Sequence, residues 1–152
     1  MNKYYIAYGS NLNLSQMSAR CPTAVPYAKG ILQNQELIYR GEPTNSYATI
    51  RKKEGSYIPI LIWIIQDSDE KALDLYENYP ALYHKESILA ETSEAAIEGM
   101  VYIMNQNEKP GKPSPSYIET IRQGYQDNSF DLSPLEQSLV FNKLELDKYK
   151  NK

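Results

Sequence analysis

The sequence predicts an α+β fold in one domain, a mixed, β-barrel-like sheet with flanking helices. Strand-like segments occur in runs and do not alternate strictly with helices, which disfavours a parallel α/β fold. Two helix-start signals then follow one another late in the chain, Ser114-Pro115 and Ser133-Pro134. The 152 residues show no internal repeat and no long linker, so their number fits a single domain.

The expected strands are rich in β-branched and aromatic residues and end at turn residues. They are residues 4–8, 28–32, 36–39, 47–51, 57–65, 82–90 and 99–104. We expect Gln33-Asn34 to form a hairpin turn between two of them. Glu54-Gly55-Ser56 is expected to turn the chain before residues 57–65, the most apolar segment, which is typical of a strand covered on both faces.

Four helices are expected, each opened by a capping residue. The expected caps lie in residues 11–13 and at Ser68, Ser114 and Ser133. The second helix ends near Glu77, and Gly124 is expected to stop the third. The fourth is expected to fray beyond about residue 146, where the sequence becomes highly charged.

Composition excludes several classes of function. A net charge of −3 and a pI near 5.2 do not suit a nucleic-acid-binding protein. The longest apolar run, residues 58–65, is far shorter than the ~20 residues that span a bilayer. Cys21 is the single cysteine, and the first residues lack the pattern of a signal peptide. We therefore expect a cytoplasmic protein, a monomer or homodimer without membrane or nucleic-acid partners.

Familiar catalytic motifs are missing from the sequence. It has no glycine-rich phosphate loop, no CxxC and no HExxH, and His84 is its single histidine. Ser10 does not lie in a G-x-S-x-G elbow, and Cys21 has only Arg20 as a cationic neighbour. We therefore expect neither a metal site nor a bound cofactor.

Three segments suggest a small-molecule site. In the first, Ala7-Tyr8-Gly9-Ser10-Asn11-Leu12, glycine and asparagine tolerate positive φ, so successive backbone amides can converge on an anion. A plain strand-to-helix turn remains the alternative. The second ends a helix at Glu77, where the helix dipole and aromatic neighbours are expected to raise the carboxyl pKa. The third is Pro113-Ser114-Pro115-Ser116-Tyr117, at a helix start.

Together these segments resemble the γ-glutamyl cyclotransferase-like family over nearly the whole chain. The resemblance consists of A-Y-G-S-N-L at 7–12, Y-A-T-I at 47–50, L-D-x-x-E at 73–77, V-Y-I-M at 101–104 and P-S-P-S-Y at 113–117. It implies a mixed barrel with a pocket at its mouth. It also implies a reaction without metal or cofactor, in which the α-amine of a γ-glutamyl amide attacks its own γ-carbonyl and releases 5-oxoproline and an amine.

The resemblance also implies roles for individual residues. Glu77 is expected to be the catalytic acid and base. Substrate is expected to contact Tyr8, Gly9, Ser10, Asn11, Leu12 and Tyr117, with Tyr102 in the pocket wall. Asn78 stands where the family often has glycine, and asparagine also suits a left-handed helix C-cap. Two alternatives remain open, a catalytically silent binding or regulatory domain and a related reaction on another aminoacyl amide.

Overall fold

A computed structural model describes residues 3–150, and its centre is a closed barrel with strand order β1-β3-β2-β4-β5. The elements, in chain order, are β1 (Lys3–Ala7), a 3-10 turn (Ser10–Leu12), α1 (Leu14–Arg20), β2 (Val25–Glu42), β3 (Asn45–Ile65), α2 (Asp67–Tyr76), β4 (Tyr83–Thr92), β5 (Ala96–Met104), α3 (Pro115–Asp127) and α4 (Ser133–Lys150). All strand pairs are antiparallel except β1 with β5, so the sheet is mixed, as predicted.

Two joints of the barrel have short ladders. The parallel pair between β1 and β5 consists of Tyr5 opposite Met100, and β2 meets β4 at Gly30–Thr92 and Ile31–Glu91. By contrast, β2 pairs with β3 along most of its length. The hairpin of β4 and β5 is therefore the part of the barrel with the fewest backbone bonds to the rest.

The predicted turns at Gln33-Asn34 and at Glu54-Gly55-Ser56 are wrong, because β2 and β3 are each continuous through them. Asn34 takes a φ of 60° at an irregularity in β2, and residues 53–56 of β3 stand opposite it. The side chain of Asn34 accepts a hydrogen bond from the Gly55 amide, which holds the irregularity together. The turn-forming residues thus produce a bulge that bends the long hairpin instead of breaking it.

The expected stop at Gly124 is also wrong, because α3 continues through it to Asp127. A Cβ at Gly124 would lie 2.7 Å from the backbone of Leu12 and of Asn13. The glycine therefore permits close packing of α3 against the turn that follows β1. This packing fixes the position of that turn relative to Tyr117, in the first turn of α3.

The start of α2 differs from the expectation. Gln66 caps α2 in place of Ser68, since its side chain and that of Asp69 form a reciprocal capping box. α4 continues to Lys150, past the point near 146 where fraying was expected. Within residues 3–150, no helix combines the length and the apolar character that a membrane crossing requires.

Candidate active site

A narrow pocket lies where the end of β1, the end of α2 and the start of α3 meet the barrel. Most of the residues singled out in the sequence lie in its wall. The lining is Tyr5, Tyr8, Gly9, Ser10, Asn11, Ala48, Glu77, Tyr83, Tyr102 and Tyr117. Leu12 is not part of it: its side chain is fully buried in the core, so the geometry gives no support to a substrate contact there.

Glu77 is the C-cap of α2, and Asn78 follows it with a φ of 51°. This is the left-handed C-cap conformation that the asparagine was expected to adopt. The Glu77 side chain is partly buried and, among residues 3–150, receives no hydrogen bond from the protein. Desolvation raises its pKa to about 7, and the charge of Arg20 acts in the opposite direction. A carboxyl group with this pKa can both take up and release a proton near neutral pH.

The turn after β1 is a single 3-10 turn. The amides of Leu12 and Asn13 donate to the carbonyls of Gly9 and Ser10, which leaves the amides of Ser10 and Asn11 as the candidates to bind substrate. Gly9 has a φ of −125°, so the positive φ considered from the sequence is wrong. Glycine matters here because of the space that it leaves free. A Cβ at this position would lie 3.7 Å from the Ala48 Cβ and 3.9 Å from the Tyr117 hydroxyl oxygen.

Three tyrosine hydroxyls of the pocket donate to protein acceptors. Tyr8 donates to the Tyr102 carbonyl and Tyr83 to the Ala48 carbonyl, both at 2.7 Å. Tyr102 donates to the carboxylate of Asp74 at 2.6 Å. These bonds fix the rings as walls, and their hydroxyl protons are not available to a ligand.

Two other tyrosine hydroxyls accept hydrogen bonds from the protein. Tyr5 accepts from the side-chain amide of Asn11 at 2.9 Å, and Tyr117 accepts from the Ala48 amide at 3.0 Å. A phenol that accepts one bond still has its own O–H to donate. Tyr5 and Tyr117 can therefore each offer a proton to an oxygen atom placed beside Glu77.

Sequence reasoning missed Tyr5, Tyr83 and Ala48. Tyrosine occurs 14 times in the chain, and no local motif distinguishes Tyr5 or Tyr83 from the rest. Ala48 contributes through its backbone, which carries no side-chain signal. The segment Y-A-T-I at 47–50 contains Ala48, and that segment was the available indication of its place.

The pocket is small as the structure stands. Its free volume is about 20 Å³, which is room for about one water molecule. A γ-glutamyl compound is much larger, so we expect the walls to separate as such a substrate enters.

The structural surroundings of His84 and Cys21, the two other reactive side chains, account for them without a catalytic role. His84 bonds to Asn105 and to Glu86 at the surface of the sheet, and the Glu86 bond raises its pKa. Cys21 is buried, and desolvation raises the pKa of its thiol to about 11. A thiol with that pKa is a poor nucleophile at neutral pH. Across residues 3–150 there is no group of three or more His, Cys, Asp or Glu placed to hold a metal ion.

Comparison with known proteins identifies relatives of the chain. The model of the family described as "Gamma-glutamyl cyclotransferase, AIG2-like" matches residues 5–120. A Gamma-glutamylcyclotransferase of Bos taurus is 30% identical over 157 residues, covering 97% of this chain and 81% of the relative. One of Homo sapiens is 27% identical over 145 residues, covering 88% and 75%. A solved structure named "Gamma-glutamyl cyclotransferase" has a TM-score of 0.82 at 26% identity, covering 91% of this chain and 86% of that one. The residues matched by the family include the whole pocket lining.

Proposed function

Because this chain belongs to the γ-glutamyl cyclotransferase, AIG2-like family, we propose that its pocket carries out that reaction with Glu77 as acid and base. The enzyme converts a γ-glutamyl amine or peptide into 5-oxoproline and a free amine. The single observation that supports the role of Glu77 is its carboxylate, which lines the pocket without a hydrogen-bond partner in the described part of the chain and has a pKa of about 7.

The reaction needs two proton transfers. It also replaces one C–N bond at the γ-carbonyl carbon by another. The α-amine of the substrate reacts in its neutral form: as it attacks the γ-carbonyl carbon, its nitrogen gives one proton to the Glu77 carboxylate. When the bond from that carbon to the leaving nitrogen breaks, the protonated Glu77 returns its proton to the leaving amine. One carboxyl group serves both steps, and such proton transfer typically contributes ~10²–10⁴-fold in rate.

The rest of the pocket supplies orientation and charge stabilisation. The amides of Ser10 and Asn11 bind the α-carboxylate, and the hydroxyls of Tyr5 and Tyr117 donate to the γ-carbonyl oxygen as it becomes negative. Folding the γ-glutamyl chain so that its ends meet can supply up to ~7–11 kcal/mol of the barrier. A tight pocket also excludes water, which would otherwise hydrolyse the same bond.

A panel of γ-glutamyl compounds tests this function. We expect the purified protein to release 5-oxoproline, detected by mass spectrometry, from at least one γ-glutamyl amine or peptide. The matched α-glutamyl compounds should not react, because their free amine cannot close a five-membered ring on the amide carbonyl. Binding of 5-oxoproline without turnover of any compound would favour the silent binding domain instead.

Exhaustive dialysis against a strong chelator is the control for the proton-transfer chemistry. Activity should survive it, because every step above uses protein groups alone. If activity disappeared and zinc or manganese restored it, a metal would have to replace Glu77 as the group that activates the amine.

A further inference from the structure

Arg20, at the C-terminal end of α1, contacts three groups that do not neutralise it. Its guanidinium carbon lies 3.5 Å from the centre of the Tyr76 ring, and one of its nitrogens donates to the side-chain oxygen of Asn11. A second nitrogen lies 3.4 Å from the amide oxygen of Gln16. These partners are a ring and two neutral amides, so none of them neutralises the positive charge.

The partners of Arg20 are themselves parts of the pocket. The amide nitrogen of Asn11 donates to the Tyr5 hydroxyl at 2.9 Å, and Trp63 donates to the Asn11 carbonyl at 3.2 Å. The Tyr76 hydroxyl forms a bond of 2.7 Å with the Ser10 hydroxyl, and Tyr76 directly precedes Glu77. Arg20 thus touches both the binding turn and the end of α2, the two elements that must stay in register for the reaction.

Among the ionisable groups around Glu77, Arg20 is the one whose charge has the largest effect on the Glu77 carboxyl. From β1, β4 and α3 the neighbours are tyrosines whose pKa values burial raises well above the ordinary range, so they stay neutral; these are Tyr5, Tyr8, Tyr83 and Tyr117. Beyond Tyr102 lies an ion cluster in which Lys85 is paired with Glu70 and Asp74. The cation of that cluster is therefore already balanced by carboxylates.

We propose that Arg20 is a positioning residue, which clamps the binding turn to the last turn of α2 and supplies the positive charge that lets Glu77 ionise within its apolar surroundings. The inference rests on the proposed role of Glu77 in catalysis. A cation beside a buried carboxylate favours the charged form, in opposition to desolvation. Without Arg20, a smaller fraction of Glu77 would be in the base form at neutral pH, and the attacking amine would lose its proton more slowly.

The test compares Arg20→Gln with Arg20→Lys. Arg20→Gln should move the rising limb of the pH profile of kcat/KM to higher pH by about half a unit or more. At pH 6 this amounts to a loss of about threefold or more in kcat/KM, in addition to any loss that persists at high pH. Arg20→Lys retains the charge, so its rising limb should stay near the wild-type position even if poorer stacking on Tyr76 lowers kcat.

Tyr76 provides a second pair of variants. Tyr76→Leu removes the ring under the guanidinium, and it should shift the rising limb in the same direction as Arg20→Gln. Tyr76→Phe retains the ring and should leave the limb in place. If Arg20→Gln does not fold, the two Tyr76 variants test the proposed role of Arg20 in its place. Arg122→Gln is the matched control, because Arg122 pairs with Glu119 on α3 and does not line the pocket; it should leave the profile unchanged.

An NMR titration of labelled glutamate carboxyls separates this inference from the proposed function, with Glu77→Gln used to assign the signal. We expect Glu77 to titrate at higher pH in Arg20→Gln than in the wild type, whether or not any substrate turns over. A shift without activity in the wild type would uphold the electrostatic role and reject the cyclotransferase proposal. An unshifted titration in both Arg20→Gln and Tyr76→Leu would overturn the role of Arg20.

Discussion

Glu77→Gln is expected to lower kcat by at least ~10²-fold, because the amide preserves the size and polarity of the side chain but cannot exchange protons. Binding of 5-oxoproline, measured by calorimetric titration, should stay nearly unchanged. The amides and phenols that we propose to hold the ligand belong to Ser10, Asn11, Tyr5 and Tyr117, which the substitution leaves in place. Turnover close to that of the wild type would remove Glu77 from the mechanism.

The stability of Glu77→Gln provides a separate check on the raised pKa of Glu77. Because the pKa of Glu77 is raised from 4.5 to about 7 in the folded protein, ionisation of this group costs the native state free energy. The stability contributed by the protonated form is complete below pH 4.5 and is lost as the pH rises through 7. Glu77→Gln should therefore raise the free energy of unfolding by about 2–4 kcal/mol at pH 8 and leave it almost unchanged at pH 4.

Gly9→Val is expected to abolish most binding of 5-oxoproline, by ~10-fold or more, while the fold persists. The added Cβ alone would sit in ordinary contact with Ala48 and the Tyr117 hydroxyl. The two γ-methyl groups reach ~1.5 Å further, into a pocket whose free volume is only about 20 Å³. Calorimetric titration with 5-oxoproline, or with a non-cleavable γ-glutamyl analogue, measures the loss.

Two milder substitutions serve as matched controls for Gly9→Val. Gly9→Ala stops at the Cβ and should retain a good part of the affinity. Ser10→Ala removes a hydroxyl that bonds to Tyr76 but keeps the backbone amide, so its effect should also be small. If folded Gly9→Val bound the ligand as well as the wild type, the ligand would have to sit elsewhere.

The sequence predicted the fold class and most strands and helices because their signals are local. The apolar run that ends β3, the Ser114 cap of α3 and the left-handed residue Asn78 each depend on a few neighbouring residues. Turn chemistry was less reliable. Asn34 and Gly55 are residues typical of turns. The pairing of the long strands on either side outweighs this local preference, so the expected break is a bulge.

The candidate site was predictable where residues lie close together in the chain, as from Tyr8 to Asn11 and at Glu77. Its remaining parts depend on distant contacts. Tyr5 enters the site because Asn11 bonds to its hydroxyl, and Tyr83 because its hydroxyl reaches the Ala48 carbonyl from β4. Neither contact leaves a trace in the residues beside those tyrosines. The place of Leu12 illustrates the opposite error, since membership of a motif does not fix where a side chain points.

The short ladders at the two joints of the β4–β5 hairpin have a consequence for substrate entry. Side-chain bonds also attach the hairpin to the rest of the barrel: Tyr8 to the Tyr102 carbonyl, Tyr83 to the Ala48 carbonyl, and the Met104 amide to the Thr49 hydroxyl. Separating the hairpin from β1 and β2 breaks few backbone bonds, and it moves two pocket walls, Tyr83 and Tyr102, at once. Local opening of this kind needs much less free energy than global unfolding.

Amide hydrogen exchange reports such breathing of the barrel. The Met104 amide of β5 donates to the Thr49 hydroxyl of β3, so it should exchange well before the amide of Leu61, which lies between two strand neighbours in β3. A bound 5-oxoproline should slow exchange at Met104, because a filled pocket resists opening. Equal and slow exchange at both positions would mean that the substrate enters by another route. If Met104 does exchange first, the rate of that breathing, and not the chemistry alone, sets an upper limit on how often the pocket can be filled.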